Sequence, residues 1–140
     1  MCALWLSSPA QAADTVVDLS GAVPDDGLRH FFIELEVPTG IKEIEIAHDD
    51  LSADNILDWG LLDEKGAFRG WGGGNSENAV VGEAAASRSY LPGPIGAGKW
   101  KIVVGKAKIK QTPASYSVQV TMRDLATLPP QTTRTPYKAV

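Results

Sequence analysis

Four side chains are best suited to hold a ligand: Trp59, Arg69, Trp71 and Tyr90. Aromatic faces bind flat apolar surfaces and attract cations, so two indoles and a phenol beside a guanidinium can form a stacking platform. Such a platform suits a sugar ring or an anionic ligand. In a hairpin that turns at 63–66, Trp59 faces Trp71 and Leu61 faces Arg69, which puts Trp59, Arg69 and Trp71 on one sheet face. The favoured reading of the same three residues is a structural cation–π cluster worth about 0.5–2 kcal/mol, because Trp–Trp pairs commonly stabilise sheets. Asp58 is the one charge in the apolar run 56–62, and a buried carboxylate needs a partner, for which Arg69 and Arg88 are the candidates. Asp58 and Trp100 are assigned to structure.

A second cluster lies in His48-Asp49-Asp50-Leu51-Ser52-Ala53-Asp54-Asn55. Asp49, Asp50 and Asp54 offer oxygens for a structural calcium, an ion that takes six to eight of them in a flexible cage. The glycine and bidentate glutamate of an EF-hand are missing, so a solvated loop is the default reading. Zinc is disfavoured, because only one histidine is near. The glycine-rich run 70–76 has no Lys-Ser/Thr and no βαβ context, so it does not read as a phosphate cradle. Ser87 and Ser89 lie outside any Gly-x-Ser-x-Gly setting. No catalytic residue and no cofactor is assigned.

These side chains need strands to position them. Helical periodicity is nearly absent, and period-2 runs broken by Gly, Pro, Asn and Asp dominate. Residues 29–37 alternate, with Phe31, Ile33, Leu35 and Val37 on one side. Pro38-Thr39-Gly40 is a turn, and Ile41–His48 follows as the expected hairpin partner. In the next hairpin, Asp63-Glu64-Lys65-Gly66 predicts a type I turn with Gly66 in the left-handed conformation. Short strands are expected near 79–83 and 87–91, a longer one from Trp100 toward Ile109, and a last one-sided strand carrying Tyr116, Val118, Val120 and Met122. The sum is an all-β, two-sheet antiparallel β-sandwich, jelly-roll-like, of about eight strands. It spans 15–123. From Asp124 the pattern stops, and 124–140 reads as a Pro-rich linker that leads to something further.

The 140 residues suit one domain, and 44% hydrophobic against 21% charged is a globular balance. A net charge of −4 disfavours nucleic acid as a partner. Lys99, Lys101, Lys106, Lys108 and Lys110 alternate with apolar residues and read as the solvated edge of a strand. Residues 1–12 resemble the end of a secretory signal, with an apolar run from Ala3 to Leu6 and Ala10-Gln11-Ala12 as a small-x-small cleavage site. Cys2, the one cysteine, lies inside it. Periplasmic or secreted bacterial localisation is expected, with no membrane span.

The stretch Leu57-Asp58-Trp59-Gly60-Leu61-x-Asp63-x-x-Gly66-x-Phe68-Arg69-Gly70-Trp71-x-Gly73-Gly74 is distinctive, as is Ser89-Tyr90-Leu91-Pro92-Gly93-Pro94-Ile95-x-x-Gly98-x-Trp100. Together they resemble the N-terminal accessory domain of carbaryl-hydrolase-like metallohydrolases, whose catalytic part is a PHP (polymerase and histidinol phosphatase) domain. A looser similarity is to bacterial pre-peptidase C-terminal domains. The resemblance implies a noncatalytic accessory β-sandwich with a downstream metal-dependent, phosphoesterase-like catalytic domain as partner. It transfers no ligand to His30 or His48. An accessory domain of this kind predicts an exposed apolar face. The alternative is a stand-alone secreted carbohydrate- or ligand-binding module, which predicts an exposed coplanar pair among Trp59, Trp71, Tyr90 and Trp100.

Overall fold

In the last strand, Val118, Val120 and Met122 are buried while Ser115 and Gln119 face water, because successive side chains of a strand point to opposite faces. This alternation recurs through the computed structural model, which describes residues 14–131. The strands are β1 (Asp14–Asp18), β2 (Gly21–Ala22), β3 (His30–Val37), β4 (Glu43–Asp49), β5 (Ile56–Leu62), β6 (Phe68–Gly73), β7 (Ala79–Gly82), β8 (Gly98–Lys108) and β9 (Ser115–Arg123). They build two antiparallel sheets, β1-β9-β4-β7 with β2 also on β9, and β3-β8-β5-β6. The fold is the expected β-sandwich.

Its wiring is that of a jelly roll. β1 and β2 act as one strand interrupted at 19–20, both pairing with β9. From there each strand crosses to the other sheet, except at the β5–β6 hairpin. Residues 29–37 and 41–48 therefore do not form the expected hairpin. β3 and β4 lie in opposite sheets, and the turn at 38–40 carries the chain across the sandwich. Ile33, Leu35 and Val37 on one strand and Ile44 and Ile46 on the other all reach the shared interior from opposite sides. Burial of both faces outweighs edge-to-edge pairing of neighbours.

The lysine-bearing strand also differs from expectation. β8 is a central strand between β3 and β5, so its lysines stand on a sheet face and not along an edge. Lys99 pairs with Glu34, while Lys101 lies over the Phe32 ring. Lys106 is nearly covered and binds Asp26 Oδ1 at 2.9 Å and the Pro24 carbonyl.

The strand edges are treated unequally. β1 breaks at Ser20, whose Oγ accepts from Val118 N. On β7, Val80 N donates to Ser87 Oγ and Ser87 N to the Val80 carbonyl. The free side of β6 receives 89–91, through Trp71 N to the Ser89 carbonyl and Leu91 N to the Arg69 carbonyl. Among the described residues, β3 pairs with β8 alone.

The chain after β9 is tied down as well. Glu43 sits at the start of β4 opposite Arg123, yet it is 0% exposed because 124–128 folds over it. Its carboxylate accepts from Arg123 Nη1 (2.8 Å), Thr127 Oγ1 (2.7 Å), Thr127 N (2.9 Å) and Leu128 N (3.1 Å). Gln131 N then donates to the Ala84 carbonyl. The first part of the linker-like segment is thus a strap on the five-stranded sheet. The remainder, 132–140, and the signal-like 1–12 with Cys2 lie outside the described residues.

Candidate functional site

The β5–β6 hairpin turns as expected. Gly66 has φ +75°, Gly66 N donates to the Asp63 carbonyl, and Asp63 N to the Ala67 carbonyl. Beyond the turn the register departs from a simple ladder. Leu62 pairs with Phe68, Leu61 with Gly70, Gly60 with Trp71 and Trp59 with Gly73. Two bulges each add one residue to β6. Trp71 therefore lies opposite Gly60 on the outer face, while Trp59 points into the core. The predicted common face of Trp59, Arg69 and Trp71 does not form, and the four aromatic candidates are separated.

Trp59 is buried and continues into a column of rings. His48 stacks on it (4.7 Å, 19°), Tyr116 meets it edge-on at 6.3 Å, and Phe31 lies 5.5 Å from Tyr116. Tyr90 is buried with its Oη donating to the Trp59 carbonyl at 3.3 Å. Burial pushes its phenol above the ordinary value, so it is a neutral structural donor. Trp100, fully buried, donates Nε1–H to the Gly96 carbonyl and carries the Arg69 guanidinium 5.1 Å from its ring centroid. Arg69 is 6% exposed, with Nε, Nη1 and Nη2 donating to the carbonyls of Leu91, Pro94 and Gly93 and Asp63 Oδ2 at 3.7 Å. Burial draws its pKa down and Asp63 offsets part of that, but a guanidinium keeps its proton throughout. With its donors taken by these carbonyls, Arg69 organises the 91–94 loop and does not face a ligand.

Trp71 is the exposed aromatic of the four, at 36%. Its indole lies across bare backbone. A methyl group on Gly60 would sit 2.4 Å from Trp71 Cε3, and one on Gly105 3.2 Å from Cη2. These glycines form a tray that a side chain would fill. His30 closes one end at 6.4 Å between ring centroids. Around the tray, the outer face of the β3-β8-β5-β6 sheet carries Phe32 (54% exposed), Phe68 (56%) and Ile56, with half-buried Leu62 and Val103 between them. Glu34–Lys99 and Lys101 border it. Gly60→Ala is expected to displace the indole: tryptophan emission should shift to the red while the fold persists, and an unchanged spectrum would refute the tray.

No protein-family model matches the chain. No curated protein matches it at a significant level either. The residues themselves must carry the functional argument.

The acidic loop does not assemble a metal site. Among the described residues, no group of three or more His, Cys, Asp or Glu side chains gathers to hold an ion, so Asp49, Asp50 and Asp54 do not converge. Local turns absorb the loop: Asp49 Oδ1 accepts from Leu51 N and Ser52 Oγ from Asp54 N. Buried Asn55 fixes its end by accepting from Lys110 N and Gln111 N and donating to the Gln111 carbonyl. Asp58 meets neither proposed arginine, since Arg69 pairs with Asp63 and Arg88 with Glu77. It remains half-buried on the outer face beside Gly105.

The pKa of His48 is displaced. Burial on Trp59 pushes it below its ordinary 6.5, and Asp49 and Asp50 recover only part. The unfolded chain therefore takes up the proton first, and stability is lost as pH falls below about 6.5. Replacing His48 by Gln should flatten this loss in urea titrations at about pH 7.5 and about pH 5.5. An equal slope in both proteins would contradict the half-buried neutral imidazole.

Among the described residues, no helix is long and apolar enough to cross a membrane.

Proposed function

We propose that this chain is a noncatalytic accessory β-sandwich of an exported PHP-type, phosphoesterase-like metal-dependent hydrolase, and that it docks on the catalytic domain through the outer face of the β3-β8-β5-β6 sheet. The observation that carries the reading is the apolar strip Phe32–Trp71–Phe68 on that face, with Asp58 and then Ile56 beyond it along β5. Aromatic residues concentrated at the centre of a surface with ion pairs at its margin match the anatomy of a protein–protein interface. The sequence resemblance to hydrolase accessory domains supplies the identity of the partner.

A single observation favours the alternative of a carbohydrate-binding module. The Trp71 ring is partly exposed and packed against Gly60 and Gly105, which leaves an aromatic surface open to a sugar. Trp59, Tyr90 and Trp100 are buried, so none of them forms an exposed coplanar pair with it.

The test begins with the codons after Val140, where an in-frame His-x-His domain is expected. Isothermal titration of that domain with this chain should give binding that Phe32→Ser with Phe68→Ser abolishes. No such domain, or binding indifferent to both substitutions, would sink the docking reading. Retention on an insoluble glycan, lost in Trp71→Ala, would favour the alternative.

A further inference from the structure

We propose that the open end of the sandwich, between the β2–β3 and β8–β9 connections, is a binding pocket for a neutral amphiphile: an apolar body with a hydroxyl or amide head. The concavity measures about 530 Å³, within the size of small-ligand sites. Its walls are Val23, Pro24, Leu28, Ile109, Pro113 and Ala114. Val23 and Ala114 belong to the hydrophobic core and Ile109 packs against it, so the pocket is where that core opens to water. Entry of an apolar body into such a concavity is favoured because it removes apolar surface from water.

The pocket is also built. Lys106, on its wall, grips Asp26 Oδ1 and the Pro24 carbonyl, which pins the β2–β3 loop at the mouth. Lys106 N adds a hydrogen bond to the Arg29 carbonyl at 2.8 Å. Leu28 stands 63% exposed on that pinned loop, an apolar side chain held at the rim.

Charge decides the head group. Lys106 and Asp26 neutralise each other. The lining then retains one guanidinium, Arg29, one carboxylate, Asp25, and the Thr112 hydroxyl. A ligand with net charge of either sign meets one attraction and one repulsion, whereas a neutral head can accept from Arg29 and donate to Asp25.

The experiment titrates the chain with monodecanoylglycerol, decanoate and decylammonium below their micelle concentrations, following methyl resonances of Val23, Ile109 and Ala114. The neutral ester should shift these methyls and bind at least about tenfold tighter than either ion. Leu28→Glu, an exposed substitution that leaves the core intact, should weaken it by about tenfold or more. A bulkier block, Ala114→Phe, should remove the shifts of the Val23 and Ile109 methyls. Absence of binding, tighter binding of a charged probe, or shifts confined to the Phe32–Trp71 face would overturn the proposal.

Discussion

Replacing Arg69 by alanine is expected to lower folding stability by about 3–5 kcal/mol, the cost of removing one partner from a buried ionic network. The side chain is enclosed between Trp100 and the loop at 91–94, and its three donating nitrogens each meet a different carbonyl. Alanine leaves the Leu91, Gly93 and Pro94 oxygens without these donors, leaves Asp63 without its partner, and opens a cavity beside the indole. For a domain of this size the loss corresponds to about 10–20 °C in Tm. Lysine should recover little, because a point charge cannot span three divergent acceptors as a planar fork does. Thermal unfolding followed by circular dichroism measures this, and a loss below about 1 kcal/mol would show that the carbonyls find other donors.

Glu43→Ala is expected to cost a similar amount, about 3–5 kcal/mol, and to free the strap. The carboxylate is fully covered and accepts four hydrogen bonds from Arg123, Thr127 and Leu128. Burial raises its pKa, but the bonds from Thr127, Leu128 and Arg123 outweigh this and hold the group below its ordinary 4.5. A carboxyl whose folded pKa is depressed stabilises the protein above its unfolded value, and the gain fades as pH drops through the folded one. The wild type should therefore lead Glu43→Gln most clearly above about pH 4.5 and lose that lead on further acidification. Trypsin supplies the second readout. Cleavage after Arg123 should be slow in the wild type and fast in Glu43→Ala at temperatures where both are folded. Equal cleavage would mean that the strap is held by something other than this carboxylate.

Much of the architecture was legible in residue patterns. Burial of Val118, Val120 and Met122 follows from simple alternation, as does that of Trp100, Ile102 and Val104. Asp63 to Gly66 specified its turn, since Gly66 can take φ +75° without cost. Which sheet a strand joins was not legible at 38–40, where the same turn residues serve a hairpin or a crossing between layers. Nor were the two bulges that send Trp71 outward. Their trace was present, however, because glycine inside a strand marks a bulge or a close approach, and Gly60, Gly70 and Gly105 all do so here. Gly70 is pressed against Tyr90, where a Cβ would lie 2.4 Å from Cδ1. The partners of Arg69 and Glu43 had no local signature. They are carbonyls 22–25 positions away and a strap 84–85 positions away, brought together only by the completed sandwich.

The unequal edges have a consequence for self-assembly. Templated growth of one chain on another needs a row of unpaired backbone groups, and interruption, brevity or a covering segment denies it at β1, β7 and β6. Among the described residues, β3 is the regular edge left open, eight residues long. Glu34, paired with Lys99, and Glu36 alternate along it with the core residues, so two copies aligned there would have to desolvate charged groups. The open edge is thus guarded by charged side chains alone, Glu36 and the Glu34–Lys99 pair, and removing those charges would leave a regular template for strand addition.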